Sequence, residues 1–300
     1  MAKSKNGGTR AYIRGRIGSD VYSIGKNGKG ERQQVVRSLA ETVANPRTTA
    51  QMAGRMYMST VMQAVHGFNP IIDHSFDGFA KGQPSISEFI RRNYALVKAD
   101  AVAHPASGNM FGLNKYQEKG VKRGAWVVSA GNAQYPAAVT GANGGTPLAI
   151  AVGSTLTYGA LKAAWGMTSE EYVTLICFHE AADYEESGAV VPFFCRLSIK
   201  ENLDDATVLT AENALAAFNL EGDFTPAVRL SGENIMLNGD NDDESELYGQ
   251  QWSIVTRKEN GSFIHSECKL TTSGGRKFAA DVALPTYPSS SEQYLNGGDL

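Results

Sequence analysis

The chain has 300 residues, of which 42% are hydrophobic and 20% are charged, so it can bury a sizeable core and is not a disordered polymer. The basic start MAKSKNGGTR is followed by no apolar segment, and no run approaches ~18 apolar residues, so the sequence predicts neither a signal peptide nor a transmembrane helix. The 32 glycines favour a β-rich, turn-rich protein. Three cysteines without a signal peptide predict free thiols in a reducing compartment.

The net charge of −3 conceals a division between two halves. Residues 1–125 carry 19 Lys and Arg against 8 Asp and Glu, whereas residues 126–300 carry 9 against 23. We therefore predict two domains, a basic one over 1–125 and an acidic one over 126–300. Such an asymmetry favours an anionic partner for the first half, or copies that stack basic half on acidic half. Composition alone leaves both alternatives open.

The opening region predicts short strands at residues 11–17, 21–24 and 33–37. The last two flank GKNGKG, whose Asn27-Gly28 pair is a strong hairpin signal because the turn requires positive φ. A phosphate-binding glycine loop leads from a strand into a helix, but this loop leads into another strand. The stretch therefore predicts a β-hairpin.

Two amphipathic helices are predicted to follow. Thr48 and Gln51 form a capping-box pattern for a helix over residues 49–66, and Ser85 and Glu88 form another for a helix that extends to about residue 103. The first helix has a methionine-containing stripe, which predicts a core-facing surface or, as the alternative, a soft docking surface: Met52, Met56, Ser59, Met62 and Val65. The second has one apolar face: Ile86, Phe89, Ile90, Tyr94, Val97 and Ala101.

Beyond a glycine-rich, basic connector at residues 104–124, the sequence becomes β-like. Strands are predicted at 126–129, 172–179, 190–200, 251–257 and 262–270, with a short helix at 157–165. The last two strands flank a second Asn-Gly pair, Asn260-Gly261, and predict another hairpin. The predicted fold class is α+β: an N-terminal β-hairpin with two amphipathic helices, then a β-rich, sandwich-like region and a flexible C-terminal tail.

No cofactor or catalytic residue is predicted. Cys177 and His179 share a strand face, and Cys195, His265 and Cys268 lie on other predicted strands, so a zinc site is conceivable. Structural zinc sites usually have tight pairs such as C-x-x-C, and buried thiols are therefore the favoured interpretation. The sequence has no nucleophile elbow, no H-E-x-x-H and no phosphate-binding loop, so we do not predict an enzyme.

Basic residues of the first half are the candidate contacts to nucleic acid or to a protein partner. They lie on the hairpin and in the basic connector: Arg14, Arg16, Lys26, Lys29, Arg32, Arg37, Lys115, Lys119, Lys122 and Arg123. Tyr12 and Tyr22 are interleaved with them and could stack on bases. A solvated or subunit-facing basic surface is the alternative interpretation.

Four segments resemble, in the same order, blocks of a domain-of-unknown-function family that is abundant in Bacteroidetes and in their phages. They are GRIGSDVYSIGKNGKGERQQVVRS, NPRTTAQMAGRM, GAWVVSAGN and WSIVTRKENGSFIHSECKL. The resemblance spans most of the chain and implies no catalytic residue. It implies the context of a particle component or an assembly factor.

These observations together predict a non-enzymatic structural or assembly protein that self-associates, such as a phage virion component (capsid accessory, connector or tail). Its expected partners are further copies or other virion proteins, without a membrane, and its expected location is the virion or the host cytoplasm. The alternative is a nucleic-acid-binding protein that acts through the basic N-terminal half.

Overall fold

The computed structural model describes residues 3–4, 13–26, 31–39, 49–80, 82–103, 120–122, 124–180, 190–238 and 251–271. They form an α+β protein in which antiparallel strands outnumber the helices. The chain divides into two compact units, residues 1–47 and 48–300.

The N-terminal unit contains one antiparallel sheet in the order β1-β2-β3-β4. Its strands are β1 (Lys3–Ser4), β2 (Ile13–Ile17), β3 (Asp20–Lys26) and β4 (Arg32–Ser38). Strands β2, β3 and β4 lie at the three stretches that the sequence singles out, and β3 pairs with β4. The Asn27-Gly28 turn between them lies outside the described residues.

The second unit begins with two helices, α1 (Thr49–Ile72) and α2 (Gln83–Ala103). Helix α1 is six residues longer than the prediction. The extra turns are stabilised by burial, because Phe68 and Ile71 lie in the same hydrophobic cluster as Phe89 of α2. Helix α2 ends where the sequence predicts.

The predicted capping box at the start of α2 is wrong. The helix starts before Ser85, whose buried hydroxyl donates a hydrogen bond to the carbonyl of Ile72 at the end of α1. Glu88 accepts hydrogen bonds from Arg91 and Arg92 within its own helix rather than turning back to the cap. Ser85 therefore joins the two helices by satisfying a terminal carbonyl, which sequence spacing could not reveal.

The remaining elements are twelve strands and one further helix. They are β5 (Ala125–Ser129), β6 (Val139–Thr140), β7 (Asn143–Gly144), β8 (Leu148–Ala151), α3 (Tyr158–Trp165), β9 (Tyr172–Glu180), β10 (Val190–Ile199), β11 (Phe218–Gly222), β12 (Ala227–Ser231), β13 (Asn234–Asn238), β14 (Gln251–Glu259), β15 (Ser262–His265) and β16 (Cys268–Thr271). A 3₁₀ turn, Ala214–Ala217, precedes β11.

These elements form three layers around a central sheet. The central sheet has the order β11-β10-β9-β14-β15, with β7 also beside β14. One face packs on α1, α2 and β5 through residues such as Phe178, and the other packs on the sheet β12-β13-β8-β6 through residues such as Leu175. Both faces are therefore covered, and a pair of strands, β16-β5, completes the fold.

The sequence places a domain boundary at 125/126, whereas the two compact units divide after Arg47. Trp126 of β5 lies in one hydrophobic cluster with both helices. Its ring is stacked on Phe89 with centroids 6.0 Å apart, and its centroid is 6.0 Å from that of Phe68. The glycine-rich connector before β5 changes the composition of the chain without separating its cores.

Four of the twelve strands in the second half, β5, β9, β10 and β14, lie where the sequence predicts them, whereas β6–β8 and β11–β13 were not predicted. Strands β9 and β10 pair over their lengths, and Thr157 caps α3 by accepting the amide hydrogen of Ala160. Asn260 and Gly261 have φ of 51° and 81° and form the predicted turn between β14 and β15. The strand predicted at 262–270 is instead divided between β15 and β16.

Candidate interaction surface

The register of the N-terminal sheet places most of its large apolar side chains on one face, whereas Val21 and Val35 lie on the other. Tyr22 on β3 lies opposite Gly15 on β2 and Val36 on β4. Ile17 and Ile24 fall on the same side because alternate strand residues share a face. We call this the apolar face; its apolar members are Ile17, Tyr22, Ile24 and Val36, and it also carries Gly15, Asp20, Arg32, Gln34 and Ser38.

The opposite face of the same sheet is basic. Arg16, Val21 and Arg37 form one row across the three strands, and Arg14 lies two residues before Arg16. All three arginines are exposed. No residue that β2, β3 and β4 place on this side is acidic, so the arginines create a single-signed field. We call this side, with Arg14, Arg16 and Arg37, the basic face.

No described side chain of this sheet is buried, over residues 14–25 and 31–39. Ile17 and Val36, at opposite sides of the apolar face, are 49% and 51% exposed. A small sheet needs an apolar face packed on something to be stable by itself. Within the N-terminal unit, no described residue covers the apolar face to the point of burial.

The outer edge of β4 is the second notable feature of this sheet. The amide of Leu39 donates to the carbonyl of Ser19 at 2.6 Å, so these two residues form a hydrogen-bonded pair. Because hydrogen-bonded and non-hydrogen-bonded pairs alternate in an antiparallel ladder, this pair identifies which residues of β4 bond to β3. Odd-numbered residues of β4 therefore direct their backbone groups to β3, and Val36 and Ser38 direct theirs outward. Strand β4 ends the sheet in the part of the chain that the structure describes.

The structure brings together only part of the predicted basic set. Arg14, Arg16 and Arg37 share the basic face, whereas the register places Arg32 at the end of the apolar face. Lys26 ends β3, and nothing is described of its side chain. Four predicted residues lie outside the described residues: Lys29, Lys115, Lys119 and Arg123.

Lys122 is not part of an exposed basic surface, contrary to the prediction. It is 5% exposed, and its ammonium group donates to a carboxylate oxygen of Asp100 on α2. Its backbone carbonyl accepts a hydrogen bond from the indole nitrogen of Trp126 at 2.9 Å. A lysine in a basic run is usually solvated, but this one is withdrawn because the chain enters the core at Val121.

Among its described residues, the basic face has no aromatic side chain of the kind that the nucleic-acid hypothesis expects. Tyr22 lies on the apolar face, opposite the three arginines, and Tyr12 lies outside the described residues. Arginines alone can contact phosphates, but base stacking on Tyr22 would require contact with the other side of the sheet.

The cysteines and histidines considered for zinc do not converge. Cys195 and Cys268 belong to two separate hydrophobic clusters. Burial raises the pKa of each thiol to about 12, so both stay protonated at neutral pH. Burial also lowers the pKa of His265 to about 4, and its Nδ1 is 3.0 Å from the hydroxyl of Thr256. These groups are interior packing residues.

The residue that sequence reasoning missed is Asp77, in the connector between α1 and α2. Its carboxylate accepts hydrogen bonds from the backbone amides of His265 at 2.7 Å and Asn132 at 3.1 Å. The carbonyl of His265 in turn accepts the amide of Ala133. These contacts cover the outer edge of β15, and no sequence motif indicated them.

A cleft of about 400 Å³ lies between β7, β14 and β16. On its wall the hydroxyls of Tyr135 and Ser253 are 2.7 Å apart, and the serine also accepts the amide of Ala142. Burial raises the pKa of Tyr135 to about 12. These hydroxyls bond to one another, and a phenol of this pKa supplies no base at neutral pH.

Comparison with known proteins adds no relative. The chain matches no family model, no curated protein and no solved structure. Among the described residues, no helix combines the length and the apolar character that crossing a bilayer requires.

Proposed function

We propose that this chain is a non-enzymatic structural or assembly protein that self-associates, as a component of a particle such as a phage virion. In this proposal the β-hairpin and the two amphipathic helices form the basic part of the assembling molecule, and the sandwich-like region forms the acidic part. The resemblance to a family of phages and Bacteroidetes supports the particle context, with a capsid accessory, connector or tail protein as its expected roles.

The observation that carries the proposal is the exposed apolar face of the N-terminal sheet. The described side chains of this face are all at least partly exposed, among them Ile17 and Val36. An exposed apolar face on a sheet with an open edge is the kind of surface that pairs with another chain. Burying it in an assembly would supply the packing that the sheet lacks in one copy.

The charge distribution supports a second copy as the partner. Residues 1–47 carry ten Lys and Arg against three Asp and Glu, whereas residues 126–300 have a net charge of −14. Opposite charges on two regions of one chain attract when copies meet head to tail, and such contacts give rings or filaments.

The test is the molar mass of the full chain by light scattering after size exclusion, at low and at high salt. We expect an assembly at low salt that dissociates in part at high salt, because salt screens the charged contact. The double variant Ile17→Ser/Val36→Ser should shift the mass towards the monomer. The matched control is Val208→Ser, which removes an exposed apolar side chain of the second unit. A parent chain that stays monomeric at high concentration and low salt overturns the proposal.

Nucleic-acid binding through the basic face is the second candidate, favoured by the three exposed arginines on one side of the sheet. The triple variant Arg14→Gln/Arg16→Gln/Arg37→Gln should then bind DNA and RNA more weakly and with a shallower salt dependence. If the triple variant binds as well as the parent chain, this function is excluded for the basic face.

A further inference from the structure

We infer that β4 of one copy adds to β11 of the next copy as an antiparallel strand, with Val36 opposite Leu220. This inference rests on the proposed self-association and names the two edges that would join. The contact is head to tail, since it uses a different strand on each copy, and it leaves β11 of the first copy and β4 of the second available for further copies.

The acceptor is the outer edge of the central sheet at β11. Strand β11 pairs with β10 on one side and ends the sheet in the described part of the chain. Leu220 lies opposite the fully buried Leu197, on the face that packs against the second sheet, yet it is 38% exposed. The core between the two sheets is therefore incompletely covered at this edge.

The backbone at this edge is oriented to accept a strand. The amide of Lys200 donates to the carbonyl of Ala217, and that of Asp223 donates to Phe194, which fixes the alternation of the β10–β11 ladder. Leu220 therefore directs its amide and carbonyl outward, just as Val36 does on β4. Placed opposite each other, the two residues can exchange two backbone hydrogen bonds.

The other edge of the same sheet, at β15, is covered at its last residue. Strand β15 has its last residue, His265, bonded on the outer side by Asp77 and Ala133. Covering an edge in this way is how proteins prevent strand addition. The contrast between the covered β15 and the uncovered β11 makes β11 the acceptor.

One register brings the apolar side chains at the two edges together. With Val36 opposite Leu220, Val36 continues the buried face of the central sheet, with Gln34 and Ser38 on either side of it. The other side of β4 then continues the outer face of β11, where Arg37 lies diagonally across from the exposed Glu221. Val36 thus meets Leu220, and Arg37 comes within reach of Glu221, although Val35 is the residue directly opposite Glu221.

Charge also favours a second copy as the donor. The stretch from Glu201 to Asp223, which contains β11, has six carboxylates and no Lys or Arg. All six are exposed: Glu201, Asp204, Asp205, Glu212, Glu221 and Asp223. The N-terminal unit has a net charge of +7 and presents its edge strand between basic residues. The two edges attract each other, whereas two copies of β11 would bring like charges together.

The direct test is disulfide cross-linking between two separately purified variants of the full chain, Val36→Cys and Leu220→Cys. Residues that exchange backbone hydrogen bonds have Cα atoms about 5.5 Å apart, which a disulfide can span. Each variant supplies only one new thiol, so a bond between Cys residues at these positions must join two chains. The native cysteines Cys177, Cys195 and Cys268 are buried.

The matched control replaces Leu220→Cys by Phe263→Cys, which puts the thiol on β15, the covered edge of the same sheet. Phe263 is 48% exposed, so its thiol is at least as accessible. After mild oxidation we expect at least tenfold more 36–220 than 36–263 disulfide, identified by mass spectrometry of the linked peptides. Equal yields overturn the inference.

A charge exchange tests the register. Arg37→Glu and Glu221→Arg should each lower the yield of the 36–220 cross-link several-fold, and the two together should restore it, because the ion pair is then reversed. If both single variants cross-link as well as the parent pair, the register is wrong.

The outcomes separate the inference from the function on which it rests. If light scattering shows assemblies but the 36–220 disulfide does not exceed the control, this contact is overturned and self-association stands. If the chain is monomeric and no cross-link forms, both are overturned.

Discussion

The N-terminal sheet and the central sheet are built from the same kind of antiparallel ladder but differ in what covers them. The central sheet packs helices on one face and a second sheet on the other, so residues 173–178 of β9 and 251–256 of β14 are all buried. The N-terminal sheet has no buried side chain among its described residues. Backbone hydrogen bonds between strands therefore do not by themselves make a sheet stable; the elements that pack on its faces do.

This difference separates stability from function in the molecule. Aromatic packing such as Phe68 against Phe178, with centroids 6.2 Å apart, ties the helices to the central sheet. The N-terminal sheet instead exposes groups that can bind: an apolar face, a basic face and an edge. Mutations in the two sheets should accordingly change different measurements.

The largest expected effect is in the core beneath the helices. Phe68→Ala removes a fully buried ring that contacts three other aromatic rings. We expect a loss of about 3–5 kcal/mol in the free energy of unfolding, measured by urea denaturation with tryptophan fluorescence. A loss below about 1 kcal/mol would contradict the packing described for this layer.

The next effect tests the covered edge of the central sheet. A Cβ atom at Gly131 would lie 2.1 Å from a carboxylate oxygen of Asp77 and 2.3 Å from the carbonyl of His265. Gly131→Ala should therefore cost about 1–3 kcal/mol, whereas Gly145→Ala, where a Cβ meets nothing within 4 Å, is the control. Equal thermal midpoints for the two variants would contradict the Asp77 contact.

A smaller effect is expected from pH. Burial lowers the pKa of His265 to about 4 from the ordinary 6.5, so the unfolded chain binds more protons between these values. Stability should be intact above pH 6.5 and fall as the pH drops towards 4, by up to about 1 kcal/mol per unit. Urea midpoints at pH 7, 6 and 5 measure this slope. His265→Gln should flatten the dependence of stability on pH. If the slope is unchanged in this variant, groups other than His265 cause the acid sensitivity.

The smallest change in stability is expected from the N-terminal sheet. Val36→Ser alters a half-exposed side chain, so the free energy of unfolding of the second unit should change by less than about 0.5 kcal/mol. The mass distribution in solution should nevertheless shift towards the monomer. A large loss of stability without any change in mass would contradict this account, because Val36 would then contribute to folding rather than to association.

Sequence reasoning succeeded where local chemistry decides the structure. The Asn260-Gly261 turn requires positive φ, which those two residues tolerate, and the strands on either side were found with it. The short helix predicted at 157–165 also forms as α3, with Thr157 as its cap.

Sequence reasoning was incomplete where contacts between residues far apart in the chain determine the structure. Helix α1 continues to Ile72 because residues far along the chain bury its last turns. Lys122 resembles a solvated lysine until its contact with Asp100 is known. Met62 of the predicted core stripe is exposed beside Met58, whereas Val65 is buried. The basic face depends on the pairing of three strands, which no spacing along the chain contains.

The most direct measurement is amide hydrogen exchange of peptides from residues 13–26 and 31–39, at several concentrations of the full chain and at low salt. If a second copy covers the N-terminal sheet, protection of these amides must rise with concentration while that of β9 and β10 stays constant. Protection of the N-terminal amides that is the same at every concentration would contradict the account.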